Sequence, residues 1–201
     1  MNIKSKKGMT LVEVIATVAI MAAIMIPISL IFSTAYSNFI TESDKSTAQK
    51  SARAVLYGKG LYGNGLISYG VIGDLQRSNV GGDKITIDQD PITKKWRTIS
   101  IADNKGLLYK YSFDGTDLWY GYRNDSDVWI QDVYLTEKSS NNKDVKVIDF
   151  AVDKKQKGTD IDEDPTTQTI IDNDLIKVYV KVECGKSGPI ELESSYRIPI
   201  E

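Results

Sequence analysis

Apolar residues form one long run near the start of the chain and alternate with polar residues towards its end. After a polar, basic segment at residues 1–8, the run from Met9 to Phe32 contains Glu13 as its one charged residue. As an α-helix this run is roughly 36 Å long, enough to cross the ~30 Å hydrocarbon core of a bilayer. We therefore expect a transmembrane helix over residues 9–32.

A second helical pattern follows between Ser33 and Tyr57. Its apolar residues recur at spacings of three and four, and polar and charged residues fill the positions between them. This pattern is typical of an amphipathic helix that packs one face against a folded body. Because no glycine or proline separates the two patterns, we predict one helix over residues 9–57. Pro27 lies inside it and removes one backbone hydrogen bond, which tends to kink a helix.

Short segments of alternating polarity occupy most of the remaining chain. Alternation with a period of two indicates strands that bury one face, and short turns between them indicate antiparallel pairing. The predicted strands are 84–88, 96–101, 107–113, 118–122, 128–135, 145–152, 175–183 and 190–198. A short helix is predicted over residues 66–77. The expected fold class is α+β, a long N-terminal helix packed on an antiparallel sheet domain at 58–201.

Composition excludes several function classes. The formal net charge of −2 gives no general attraction to nucleic acid, so no nucleic-acid partner is predicted. The chain has no histidine, which removes imidazole acid–base chemistry and histidine metal ligands. A single cysteine, Cys184, cannot form an intrachain disulfide. We find no nucleophile with an activating base, so we expect neither an enzyme nor a cofactor.

An acidic segment offers one weak candidate for a metal site. Asp160, Asp162 and Asp164 have the spacing with which a calcium loop begins. Pro165 and Ile171 then occupy the places where such a loop needs glycine and glutamate. A solvated surface loop is the main interpretation, and a Ca²⁺ site remains a hypothesis.

Tyrosine and tryptophan are concentrated between residues 109 and 134. Aromatic residues at alternating positions usually form cross-strand pairs in a core. An exposed subset that binds a surface or a partner protein is the alternative.

The charges around the apolar run suggest how the chain is placed in a membrane. Lysines precede the run, which puts residues 1–8 in the cytoplasm and the bulk of the chain outside. Glu13 is expensive inside a membrane-length segment and requires a partner. A cleaved signal peptide ending near residues 33–35 and a plain anchor are alternatives. The run is longer than the apolar part of a signal peptide, and neither alternative explains Glu13.

The junction of residues 7–14, Lys-Gly-Met-Thr-Leu-Val-Glu-Val, resembles the class III signal of type IV prepilins and of type II secretion pseudopilins. That pattern has a short basic leader ending in glycine, an apolar residue, threonine, two aliphatic residues and glutamate. Met9 departs from it mildly, because phenylalanine is commonest there.

The resemblance implies a pathway. A prepilin peptidase would cut between Gly8 and Met9 and methylate the new amine of Met9. The partners would be other pilin or pseudopilin subunits, the membrane, and an assembly platform protein with its ATPase. Glu13 would pair with the Met9 amine of a neighbouring subunit, and Pro27 would mark a locally melted part of the helix. The implied fold is the pilin fold, in which a single-pass membrane subunit later joins an extracellular or periplasmic filament.

The expected domains are a leader at 1–8, a helix at 9–57 and an extracytoplasmic domain at 58–201. The expected role is that of a structural, non-enzymatic subunit of a type IV pilus or pseudopilus, and a minor one. A major pilin is one alternative. A monotopic membrane-anchored surface-binding protein that does not polymerise is another.

Overall fold

The computed structural model describes residues 9–58, 60–61, 67–78, 84–102, 107–123, 129–133, 144–155, 167–170 and 174–199. The described helices are α1 (Leu11–Tyr57) and α2 (Val71–Ser78). The described strands are β1 (Gly60–Leu61), β2 (Ile67–Ser68), β3 (Ile85–Gln89), β4 (Trp96–Ala102), β5 (Leu108–Phe113), β6 (Leu118–Arg123), β7 (Trp129–Val133), β8 (Val145–Lys155), β9 (Thr167–Thr169), β10 (Leu175–Cys184) and β11 (Ile190–Arg197). The α+β prediction is confirmed.

The chain divides into two compact units, one ending at Thr41 and the other beginning at Glu42. The boundary falls inside α1. In the first unit, α1 continues as one helix through Pro27, and its apolar side chains are exposed, for example Leu30 at 65% and Ile31 at 68%. Such a surface needs a lipid or protein environment.

In the second unit, the last four turns of α1 bury one face. Its buried residues are Asp44, Ala48, Ser51, Ala52, Val55 and Leu56, which recur at the helical period. The face is not purely apolar, because Asp44 is fully buried. The backbone N–H of Lys186 donates a hydrogen bond to Asp44 Oδ2 at 3.2 Å, which fixes this turn of α1 to the turn after β10.

The described strands form three antiparallel sheets where the sequence suggested one. A two-stranded sheet contains β1 and β2, a three-stranded sheet has the order β11-β10-β8, and a six-stranded sheet has the order β7-β6-β5-β4-β3-β9. All eight predicted strands are present, and their described ends lie within a few residues of those predicted. Residues 128, 134 and 135 of the fifth predicted strand lie outside the described residues. The unpredicted β9 joins the six-stranded sheet through the pair Ile87 and Gln168.

The core lies between the larger sheets and the helices. Alternate residues of β10, among them Val178 and Val180, are fully buried. Tyr111 and Tyr120 face each other on β5 and β6 with ring centroids 4.8 Å apart, and both are buried. The prediction of aromatic core pairs therefore holds for this part of the aromatic segment.

Helix α2 is shorter than predicted and starts later, at Val71. It packs against both β4 and β11, which belong to different sheets. Its approach to α1 depends on Gly70, which has φ +76° and lies so close to α1 that a Cβ there would sit 2.5 Å from the backbone of Leu56 and Tyr57. The hydroxyl of Tyr57 also hydrogen-bonds to that of Ser194 on β11.

Candidate functional site

The first turn of α1 carries a reciprocal pair of hydrogen bonds between Thr10 and Glu13. The backbone N–H of Thr10 donates to Glu13 Oε2 at 2.8 Å, and the backbone N–H of Glu13 donates to Thr10 Oγ1 at 3.3 Å. The Thr10 hydroxyl also donates to Glu13 Oε2, at 3.0 Å. This arrangement is a capping box, in which two side chains satisfy N–H groups that a helix start leaves without partners.

The capping box supplies Glu13 with a partner from its own chain. Its carboxylate lies at the N-terminal end of α1, where the helix dipole favours negative charge. From the sequence we expected that partner on another subunit, and we did not identify Thr10. A detectable signal was present, because threonine followed three residues later by glutamate is the capping-box pattern.

The residues on either side complete the geometry of this segment. Met9 precedes the helix and is 75% exposed, so the chain is accessible directly after the predicted cleavage point. Gly8 lies outside the described residues. One turn into the helix, the Thr17 hydroxyl donates to the carbonyl of Glu13 at 2.7 Å, which satisfies a polar side chain within the apolar run.

The helix that follows has the properties of a membrane anchor. By length and composition α1 is able to cross a membrane. Pro27 lies inside this apolar part. Further along the helix, the Thr34 hydroxyl donates a hydrogen bond to the Leu30 carbonyl at 2.9 Å. Serine and threonine hydroxyls that have no water around them satisfy their hydrogen-bonding capacity by such a bond to a backbone carbonyl of their own helix.

The model of the prokaryotic N-terminal methylation motif matches residues 3–29. The chain carries the prokaryotic N-terminal methylation motif. This methylation motif is the class III signal and is consistent with the type IV prepilin and pseudopilin family. It supports the interpretation of the chain as a type IV pilin-like protein, and it supports membrane association. No curated protein and no solved structure matches the chain.

The methylation motif has direct consequences. As a class III signal it implies processing by a prepilin peptidase and assembly with pilin machinery in the membrane. It encloses Met9, Thr10, Glu13 and Pro27, so the capping box described above is part of the motif.

The other candidate sites from the sequence include residues that the structure does not describe. Asp160, Asp162 and Asp164 lie outside the described residues, as do Tyr134 and the side chain of Trp129. Within the part of the chain that the structure describes, no three or more His, Cys, Asp or Glu side chains are placed to hold a metal ion.

A buried polar network joins α2 to the six-stranded sheet and was not predicted. Asp74 is 1% exposed, and the Tyr111 hydroxyl donates to its Oδ2 at 2.5 Å. Burial raises the pKa of Asp74 to about 6, against the opposing effects of the Tyr111 hydrogen bond and the Arg77 charge. Arg77 in turn lies over the Tyr69 ring at 4.4 Å and donates to the Tyr109 hydroxyl at 3.0 Å. This network fastens α2 in place.

Proposed function

We propose that the chain is a minor structural subunit of a type IV pilus or a type II secretion pseudopilus. In this proposal residues 1–8 are a cytoplasmic leader, residues 9–32 span the cell membrane, and residues 58–201 form the domain outside it. One observation carries the proposal: the methylation motif over residues 3–29 coincides with a helix that begins two residues after Met9.

The first proposed step is processing. Hydrolysis of the Gly8–Met9 peptide bond releases the leader and creates a positively charged amine on Met9, which is then methylated. The exposure of Met9 at 75% supports access to this bond. Without cleavage there is no amine at this place, so an uncut chain has nothing to offer to Glu13 of another subunit.

The second proposed step is a change of partner by Glu13. In a single subunit its carboxylate accepts both hydrogen bonds from Thr10 on Oε2. During assembly it exchanges these for the Met9 amine of a neighbouring subunit, because an ion pair in a medium of low dielectric is much stronger than in water. The capping box thus protects the charge until assembly, and apolar helix packing supplies most of the cohesion.

Mass spectrometry of the mature N-terminus tests the processing step. The expected species begins at Met9 and carries a methyl group on its amine. An intact Met1, or a start at Tyr36, contradicts the proposal. Gly8→Leu should leave the leader attached, because a bulky side chain then replaces glycine at the cleavage point.

Substitution of Glu13 tests the assembly step. The Glu13→Ala variant should still enter the membrane and still be cut, but should be strongly depleted from sheared filaments. Glu42→Ala, which removes a carboxylate from the same helix outside the apolar run, is the matched control and should be incorporated normally. Wild-type amounts of the Glu13→Ala variant in filaments would refute the pairing.

The abundance of the chain in filaments separates its possible roles. A minor subunit should be a small fraction of the protein in sheared filaments, whereas a major pilin dominates them. The minor role is supported by the lone Cys184, which is buried and cannot close the C-terminal disulfide loop found in many major pilins. A surface-binding protein that never polymerises would be absent from filaments altogether.

A further inference from the structure

Three aromatic side chains project from one face of α1 where its continuous apolar run ends. Phe32, Tyr36 and Phe39 are 71%, 66% and 68% exposed. Their spacing of four and three residues puts them on the same face of the helix. We refer to these three residues as the aromatic ridge.

The aromatic ridge is the continuation of the apolar surface beyond Phe32. Up to that residue, large aliphatic side chains are exposed on every side of α1. Between Phe32 and Phe39 the remaining positions are small or polar, apart from Tyr36 itself: Ser33, Thr34, Ala35, Ser37 and Asn38. The apolar surface therefore narrows within one turn from the whole circumference to a single face.

The distance of the aromatic ridge from Glu13 matches the thickness of a bilayer. Along an α-helix Phe32 lies roughly 29 Å from Glu13, and Tyr36 lies about 6 Å further on. The hydrocarbon core is ~30 Å thick, and the headgroup regions extend the total to ~40–45 Å. With the charged Glu13 at the inner boundary of the core, Phe32 lies at the outer boundary and Tyr36 among the headgroups.

Aromatic rings are well suited to that depth. Tyrosine combines an apolar ring with a hydroxyl that needs a polar partner, and such residues are enriched at both membrane–water interfaces. A second copy of the chain would also offer an apolar surface, but contact with it does not require a separation from Glu13 equal to one bilayer thickness.

We propose that the aromatic ridge binds the interfacial region of the outer leaflet and sets the depth of α1 in the membrane before assembly. This inference rests on the membrane topology of the proposed function. The ridge holds each subunit at one height, so that every subunit presents its Met9 amine and its Glu13 at a defined depth before assembly.

The depth of α1 is measurable with a single label in the full chain. In a Cys184→Ala background, Ser37→Cys places a fluorescent label next to the aromatic ridge but on another face of α1. The protein is reconstituted in vesicles of phosphatidylethanolamine and phosphatidylglycerol. Quenching by lipids brominated at shallow and deep acyl positions, and by aqueous iodide, then reports the depth of the label.

Removing the aromatic ridge should move the label towards water. In the triple variant Phe32→Ala/Tyr36→Ala/Phe39→Ala, iodide quenching should rise about twofold or more, because the interfacial anchor is lost. The matched control, Ile28→Ala/Leu30→Ala/Ile31→Ala, removes aliphatic groups from within the core and should leave the label at its original depth. Tryptophan at all three ridge positions should also preserve the depth.

Three results would overturn the inference. Equal quenching of the ridge variant and the wild type shows that the ridge does not set the depth, and so does an equal shift in the control variant. Shielding of the label that grows with the protein-to-lipid ratio assigns the ridge to a second copy of the chain. Since the vesicles contain no peptidase or assembly machinery, these results are independent of cleavage at Gly8 and of filament incorporation, which test the proposed function.

Discussion

Arg97 on β4 donates a hydrogen bond from Nη2 to Oδ1 of Asp149 on β8, at 3.1 Å, and so joins two sheets that share no strand pairing. Both strands are bulged at this point. Arg97 is the extra residue between the pairs Asp88–Thr98 and Gln89–Trp96. On β8, the extra residue is Ile148, which lies between the pairs Lys181–Asp149 and Val182–Val147. A bulge redirects side chains out of strict alternation, and here two bulges bring opposite charges together.

Loss of the contact between Arg97 and Asp149 should destabilise the second compact unit, which begins at Glu42. The Arg97 side chain is 11% exposed and that of Asp149 is 20% exposed. The Asp149→Ala substitution therefore leaves a largely buried guanidinium without this partner. It also removes the ion pair between Asp149 and Lys95. We expect a loss of about 2 kcal/mol in the free energy of unfolding. Denaturation of the full chain in non-ionic micelles, followed by tryptophan fluorescence, measures this loss.

Glu191→Ala, which breaks an exposed pair with Lys181, is the control and should change the stability far less. Equal effects of the two substitutions would show that the contact between the sheets is unimportant.

The buried Asp74 should make stability depend on pH. Its pKa is raised from 3.8 to about 6, so the folded state holds the proton more tightly than the unfolded state. The stability it contributes is fully present below pH 3.8 and is lost as the pH rises through about 6. The corresponding change is about 3 kcal/mol. Asp74→Asn, which keeps an acceptor for the Tyr111 hydroxyl, should lose this component when unfolding is measured across that range. An unchanged pH profile in the variant would assign the dependence to other groups.

Gly70 should not tolerate a side chain. A Cβ at this position would meet the α1 backbone at 2.5 Å, and its φ of +76° is strained for other residues. We expect Gly70→Ala to cost about 3 kcal/mol, from overpacking and backbone strain together. Gly188 has φ +69°, but among the described atoms none lies within 4 Å of a Cβ built there. Gly188→Ala should therefore cost only the strain, about 1 kcal/mol. Thermal or denaturant unfolding of the two variants compares them, and similar losses would show that the close approach of Gly70 to α1 is not a constraint.

The capping box should hold the first turn of α1 together. Thr10→Val keeps the shape of the side chain and removes its hydroxyl, which costs about 1 kcal/mol at a helix start. In micelles, the amide hydrogens of the first turn should then exchange about fivefold faster, as that energy implies. Thr34→Val removes a hydroxyl that bonds to the Leu30 carbonyl inside the helix and should leave exchange at the first turn unchanged. Identical exchange in Thr10→Val and the wild type would mean that the reciprocal hydrogen bonds do not hold the helix start.

Much of this molecule was predictable because its signals are local. The long helix follows from an unbroken apolar and then amphipathic pattern, and β10 follows from strict alternation between Leu175 and Cys184. The capping box was equally readable from Thr10 and Glu13, although we did not identify it from the sequence. The burial of Asp44 on the packed face of α1 was not predictable, because its partner, the backbone N–H of Lys186, lies in a turn far along the chain.

The sequence by itself determined the membrane-length helix, the strand-rich domain and the methylation motif over residues 3–29, because each depends on residues close to one another in the chain. Only the tertiary structure decided how the strands divide into separate sheets, that Arg97 meets Asp149, and that Asp74 is buried against Tyr111. The members of these pairs lie tens of residues apart. Their meeting depends on strand register and on the placement of two bulges, which result from packing the whole body.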